Sequence, residues 1–166
     1  MLRLKLAASW IALQVLFFGG WAGREHLRLA PGQGRSILVK VVPVDPRDLL
    51  RGQYMNLSYA FNRSRGPSDG GGDFAEGETV WVVLRPEGEF HIPRDTYRRR
   101  PKGLPSGEVA VQGRAVRRRY EFGIEEYFVP ERTPTPDYDD LTVRLRVGDD
   151  GRPRIERVYL QGRPWP

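Results

Sequence analysis

Glu125, Glu126 and Glu131 are the residues of this sequence whose types and spacing come closest to a catalytic set. Acid–base cleavage of a glycosidic bond needs two carboxyl groups facing one space. Successive residues of a regular strand point to opposite faces. Glu125 and Glu126 are therefore not that pair, and Glu126 with Glu131 remains. Asp137, Asp139 and Asp140 offer oxygen ligands for a hard cation, but their spacing is not that of a calcium loop and a solvated turn accounts for them. His26 and His91 stand apart from one another, so no zinc set forms. A serine nucleophile needs an activating base. Beyond the N-terminal run the only lysines are Lys40 and Lys102, and no nucleophile motif surrounds any serine. Cysteine is absent, which excludes disulfides, a thiol nucleophile and thiolate metal sites. Gly70-Gly71-Gly72 lacks the Lys-Ser/Thr ending and the following helix of a phosphate cradle. These residues lead to an expectation of no cofactor, no metal and no reaction, with a hydrolase or carbohydrate-active enzyme using Glu126 and Glu131 as the alternative.

The stretch around which the rest is organised runs over 45–61. Pro46 fixes its own φ, Asp45 and Asp48 can bond nearby backbone N–H groups, and Gly52 tolerates conformations that other residues avoid. A strand should follow, with Met55, Leu57, Tyr59 and Phe61 on a core face and Tyr54, Asn56, Ser58 and Ala60 on a half-polar one. Tyr54 beside Gln53 and Asn56 could line a shallow binding groove, or simply cover a sheet edge with its hydroxyl in water. Arg51 and Asp48 can pair across the turn.

The segment Gly52-Gln53-Tyr54-Met55-Asn56-Leu57-Ser58-Tyr59 resembles the signature of the GDYXXLXY family of membrane-anchored bacterial proteins, with Gln53 where the family has Asp. A second segment, 123–131, resembles the family's other well-marked stretch. The resemblance implies location and architecture rather than mechanism, because the family has no established activity. It makes Arg51, Gly52, Gln53, Tyr54, Glu126 and Glu131 the candidate binding residues. Gln53 removes the one carboxylate that the signature would have supplied. The Arg-Gly-x-Tyr strand also looks faintly like a strand of serine/lysine signal-peptidase-type enzymes, a likeness of scaffold alone.

The N-terminus carries Arg3 and Lys5, followed by an uncharged run over 6–23 that includes Trp10, Ile11, Leu13, Val15, Leu16, Phe17, Phe18 and Trp21. A span takes roughly 20 apolar residues, and flanking cations hold their end in the cytoplasm. The expectation is an anchor over 1–24 in the bacterial inner membrane, held in lipid, with a tether over 25–35 and a periplasmic domain over 36–166. Gly20 and Ala22 give the alternative of a cleaved signal peptide. Net charge is +6, with basic runs at Arg98-Arg99-Arg100 and Arg117-Arg118-Arg119. Outside the cytoplasm these runs suit anionic headgroups or an acidic protein face, not nucleic acid, and an ordinary solvated surface also explains them. The partner expected is another envelope membrane protein.

Strand patterns over 37–44, 78–84, 89–93, 109–116, 120–129, 141–147 and 155–160 have no long helix among them. Asp149-Asp150-Gly151 gives a hairpin signal. The fold expected is mainly β, an antiparallel sandwich or small barrel behind one N-terminal transmembrane helix. Glycine-rich 62–77 reads as a loop without a core of its own.

Overall fold

The computed structural model describes residues 2–29, 34–42, 50–51, 54–63, 66–130, 133, 136 and 140–165, without the side chains of 2–9, 24–29 and 50–51. The chain divides into two units, Met1–Gln33 and Gly34–Pro166. In the first, helix α1 (Leu2–Leu29) covers the uncharged run and continues into the segment read as a tether. Every described side chain of α1, over 10–23, is exposed. Among the described residues no helix is long and apolar enough to cross a membrane; the stretch of α1 with described side chains is shorter than the roughly 20 residues that a span takes.

The second unit is mainly β, with every described strand pair antiparallel. One sheet orders β1 (Arg35–Lys40), β9 (Leu141–Val147), β10 (Pro153–Leu160) and β11 (Arg163–Trp165). A second orders β5 (Phe90–Tyr97), β4 (Thr79–Glu87), β6 (Val109–Val116) and β7 (Arg119–Glu121). The third is short: β2 (Leu50–Arg51), β3 (Tyr54–Asn56) and β8 (Glu126–Phe128).

Alternation in the sequence explains the core. In β9, Leu141, Val143, Leu145 and Val147 are buried while Arg144 is exposed. Ile37 and Val39 of β1, Met55 of β3, Val80, Val82 and Leu84 of β4, and Val111 of β6 join them in one core that all three sheets enclose. Burying each such aliphatic side chain stabilises by about 1.5–3 kcal/mol. The β9–β10 turn needs its glycine. Gly151 has φ +79°, and a Cβ there would lie 2.3 Å from the Trp81 ring.

Three local expectations change. The strand over 54–61 is regular only through Asn56; Tyr59 forms a single bridge with Val41, and a 3₁₀ turn follows at Ala60–Asn62. The run over 120–129 divides into β7 and β8 around a tight turn at 122–125. The described part of the loop, 66–77, is pinned rather than loose. The Arg98 guanidinium donates to the carbonyls of Gly70 and Gly72 at 2.8 and 2.7 Å. It also lies 5.0 Å from the Phe74 ring centre, and Phe74 packs edge-on against Tyr120. Glycine suits this segment because Gly70 and Gly71 adopt φ of +81° and +76°, which side chains disfavour, so composition misleads about its anchorage.

Candidate functional site

The pairing of β3 with β8 brings together the two segments singled out in the sequence. Tyr54 faces Phe128, Met55 faces Tyr127, and Asn56 faces Glu126. Period-two geometry sends Met55 inward, where it is fully buried, and leaves Tyr54, Asn56, Glu126 and Phe128 on the outer face. Tyr54 is 51% exposed and Phe128 53% exposed, with their rings edge-to-face at 5.7 Å between centroids. Cross-strand aromatic pairs of this kind gain about 0.5–1.5 kcal/mol beyond area burial, so each ring holds the other in place.

Beneath this face a polar lock ties the segments. The Glu125 carboxylate accepts hydrogen bonds from the backbone N–H groups of Phe122, Gly123 and Ile124 at 2.7, 2.8 and 3.0 Å. It accepts a fourth from Asn62 Nδ2 at 2.9 Å. Asn62 Nδ2 also donates to the Tyr120 carbonyl at 2.8 Å, and Asn62 Oδ1 accepts from the Tyr59 N–H at 2.6 Å. The buried Tyr59 hydroxyl donates to the Ile124 carbonyl at 3.0 Å. Its burial, with the Glu125 charge adding to the effect, pushes the Tyr59 phenol well above its ordinary pKa and keeps it neutral. Tyr59 stacks on Phe61 at 5.0 Å, and Phe61 meets Phe122 edge-on at 4.9 Å. Glu125 is thus committed to its own chain, while its neighbour Glu126 is exposed.

Residues 14–158 match the family described as GDYXXLXY protein. The chain belongs to the GDYXXLXY family. No curated protein and no solved structure matches it.

In this GDYXXLXY chain the signature's Leu57 and Tyr59 are core residues, 2% and 1% exposed, and Tyr54 is a surface one. Gly52, Gln53, Glu131, Asp137 and Asp139 lie outside the described residues, as do Pro46, Asp45 and Asp48. Arg51 pairs through its backbone with Tyr54. Asp140 accepts from Gln161 Nε2 at 2.8 Å, a contact to the β10–β11 turn. Members of the basic runs are engaged in different local contacts. Arg98 holds the 66–77 loop, and Arg100 donates to the Asp149 carbonyl over the Trp81 ring. Arg99 is exposed. Arg117 and Arg118 form the two-residue tip of the β6–β7 hairpin, with φ of 44° and 65°, and Arg119 begins β7.

Sequence reasoning missed Asn62 and Glu108. An asparagine in a polar loop carries no sign that both ends of its amide will be used. Glu108 is 7% exposed at the entry to β6, bonded at one oxygen to Arg94 Nη1 at 2.5 Å. The bond and the charge of Glu108 raise the Arg94 pKa. A charged residue abutting the apolar run Val109-Ala110-Val111 was the available signal.

Proposed function

We propose that this chain is a single-pass protein of the bacterial inner membrane, its N-terminus cytoplasmic and its β domain, a small partly open barrel, in the periplasm. It acts without catalysis as an accessory subunit, docking on another envelope membrane protein through the outer face of β3 and β8. The observation that carries this reading is the pair Tyr54 and Phe128. Among the described residues of the β domain, they are its exposed large apolar side chains, and they sit on the two segments that mark the family. Aromatic residues dominate the buried centres of protein interfaces. Glu126 and Asn56 beside them supply a polar rim.

The anchor rests on the uncharged run over 6–23 behind Arg3 and Lys5. A helix as long as α1, 28 residues, extends about 42 Å against a hydrocarbon thickness of roughly 30 Å. Trp10, Phe17, Phe18 and Trp21 are exposed on its surface, where lipid would cover them. A C-terminal reporter active only outside the cytoplasm, and resistance to alkaline extraction, are the results expected; complete release by alkali would refute retention. The hydrolase reading is not carried further, because Glu126 is exposed and its required partner Glu131 lies outside the described residues.

Docking is tested by placing a photo-crosslinking residue at position 54 in native membranes. One discrete membrane-protein adduct, lost in Phe128→Ala while the domain stays folded at the assay temperature, is the expected outcome. Adducts no more specific than those from a crosslinker at Arg99 would refute docking through this face.

A further inference from the structure

The β6–β7 hairpin turns through residues that such a turn disfavours. Val116 pairs with Arg119, so Arg117 and Arg118 alone make the turn, with φ of 44° and 65°. A two-residue turn with both φ positive favours Asn-Gly, because a side chain crowds the backbone in the left-handed region. A second unfavourable choice lies beside it. Arg63 and Arg119 face one another in an antiparallel bridge, and like charges directly opposite destabilise a sheet. Arg63, Arg114, Arg117, Arg118 and Arg119 are all exposed. Among the described residues no carboxylate forms an ion pair with any of them. Elsewhere in the domain Arg85, Arg94, Arg98 and Arg146 each have one. Of the acidic groups nearby, Glu76 accepts from the Arg117 backbone N–H at 2.9 Å, and Glu121 faces Arg114 in the register without an ion pair.

Local rules broken together, with no compensating contact inside the fold, mark positions kept for function. Positive charge is what these five positions share. No exposed large apolar side chain lies among them, whereas protein interfaces centre on aromatic and apolar groups and are depleted in charge. A leaflet of anionic headgroups needs no such anchor. It presents many phosphates and rewards summed charge, and a guanidinium binds a phosphate through paired N–H donors. We propose that the β6–β7 tip, with Arg63 and Arg114 beside it, binds the phosphate headgroups of an anionic lipid surface. The strained turn sets two adjacent guanidinium groups at the extremity of a hairpin, where a flat surface reaches both. This surface goes beyond the docking reading and uses neither the Tyr54–Phe128 face nor α1.

The test mixes the full chain with vesicles of phosphatidylcholine alone or with about 30% phosphatidylglycerol, and labels arginines with phenylglyoxal, read by mass spectrometry. The expected result is labelling at least about threefold slower over 114–119 in the anionic vesicles, with the exposed Arg163 unchanged. Protection should vanish in about 1 M salt, where the Debye length is about 3 Å. Arg117→Asn with Arg118→Gly supplies the pair that the turn favours, so the double variant should melt at or above the parent temperature while the protection of Arg114 and Arg119 falls by at least about half. Should that variant fold poorly, Arg63→Gln gives a second test, with weaker protection of 114–119 at an unchanged fold. Equal labelling in the two kinds of vesicle would overturn the proposal, as would protection that survives the double variant. Glycerol phosphate protecting the tip equally well in neutral vesicles would show a free-anion site instead of a lipid surface. Protection in native membranes but not in anionic vesicles would assign the tip to an acidic protein, and also overturn it. Retention of the chain in neutral vesicles reads the anchor by itself, so the two readings fail separately.

Discussion

Glu125→Ala tests the polar lock most directly. The substitution removes the acceptor of four hydrogen bonds, of which that to the Gly123 N–H is exposed and those to Phe122, Ile124 and Asn62 are partly buried. Water replaces the exposed bond at little cost. The three others, charge-assisted but partly solvated, contribute about 1 kcal/mol each, for a loss of about 3 kcal/mol. For a domain of this size each kcal/mol lowers Tm by about 3–4 °C, so the variant should melt about 10 °C early by near-UV circular dichroism. Glu125→Gln keeps one acceptor oxygen and should lose about half as much. Both losses should persist in concentrated salt, because short bonds to backbone N–H groups are screened far less than separated charges. A Glu125→Ala variant melting within about 2 °C of the parent would refute the lock.

Three further outcomes follow from the same contacts. Because the Tyr59 pKa is raised on folding, the native state holds that proton more tightly; stability should be level below about pH 10, the unfolded value, and fall as pH rises beyond it. Tyr59→Phe should flatten that alkaline decline in a pH series of denaturant titrations, at the expense of about 1 kcal/mol for the bond to the Ile124 carbonyl. Leu57→Ala, at a site 2% exposed, should cost about 2–5 kcal/mol, whereas Phe128→Ala, at a site 53% exposed, should cost less than about 1.5 kcal/mol by the same measurement. Arg98→Ala removes the bonds to Gly70 and Gly72 and the stacking on Phe74, so limited proteolysis should cut within 66–77 faster and stability should fall by about 1–2 kcal/mol.

The faces of the strands were legible because period two is a local property. Met55, Leu57, Tyr59 and Phe61 fall in the core as their alternation requires, although the chain stops being regular strand after Asn56. Burial outlasts hydrogen-bonded regularity here because the 3₁₀ turn at Ala60–Asn62 still presents Phe61 inward. β6 and β9 coincide with their patterns over 109–116 and 141–147 for the same reason. What stayed hidden depends on side chains reaching across the fold. Asn62 meets Glu125 across a sequence separation of 63, and Arg98 meets Gly70 across 28, distances over which periodicity carries no information. The sequence paired Tyr54 with neither Phe128 nor any other partner, and the outer aromatic pair exists only through the β3–β8 register. The short strands β2 and β11 also lacked a pattern, since two or three residues establish no period.

The pairing of β1 with β9 has a temporal consequence. Arg35 meets Val147 and Lys40 meets Thr142, so the first strand of the domain has no sheet partner until about a hundred further residues exist. The hairpins β4–β5, β6–β7 and β9–β10 close over short distances and can form early. β1, with its apolar Ile37, Leu38 and Val39, must wait. During synthesis, which delivers the N-terminal end first, that strand is a solitary adhesive edge. Arg35 and Lys40 at its two ends are the charges that keep the waiting strand from pairing with a neighbouring chain.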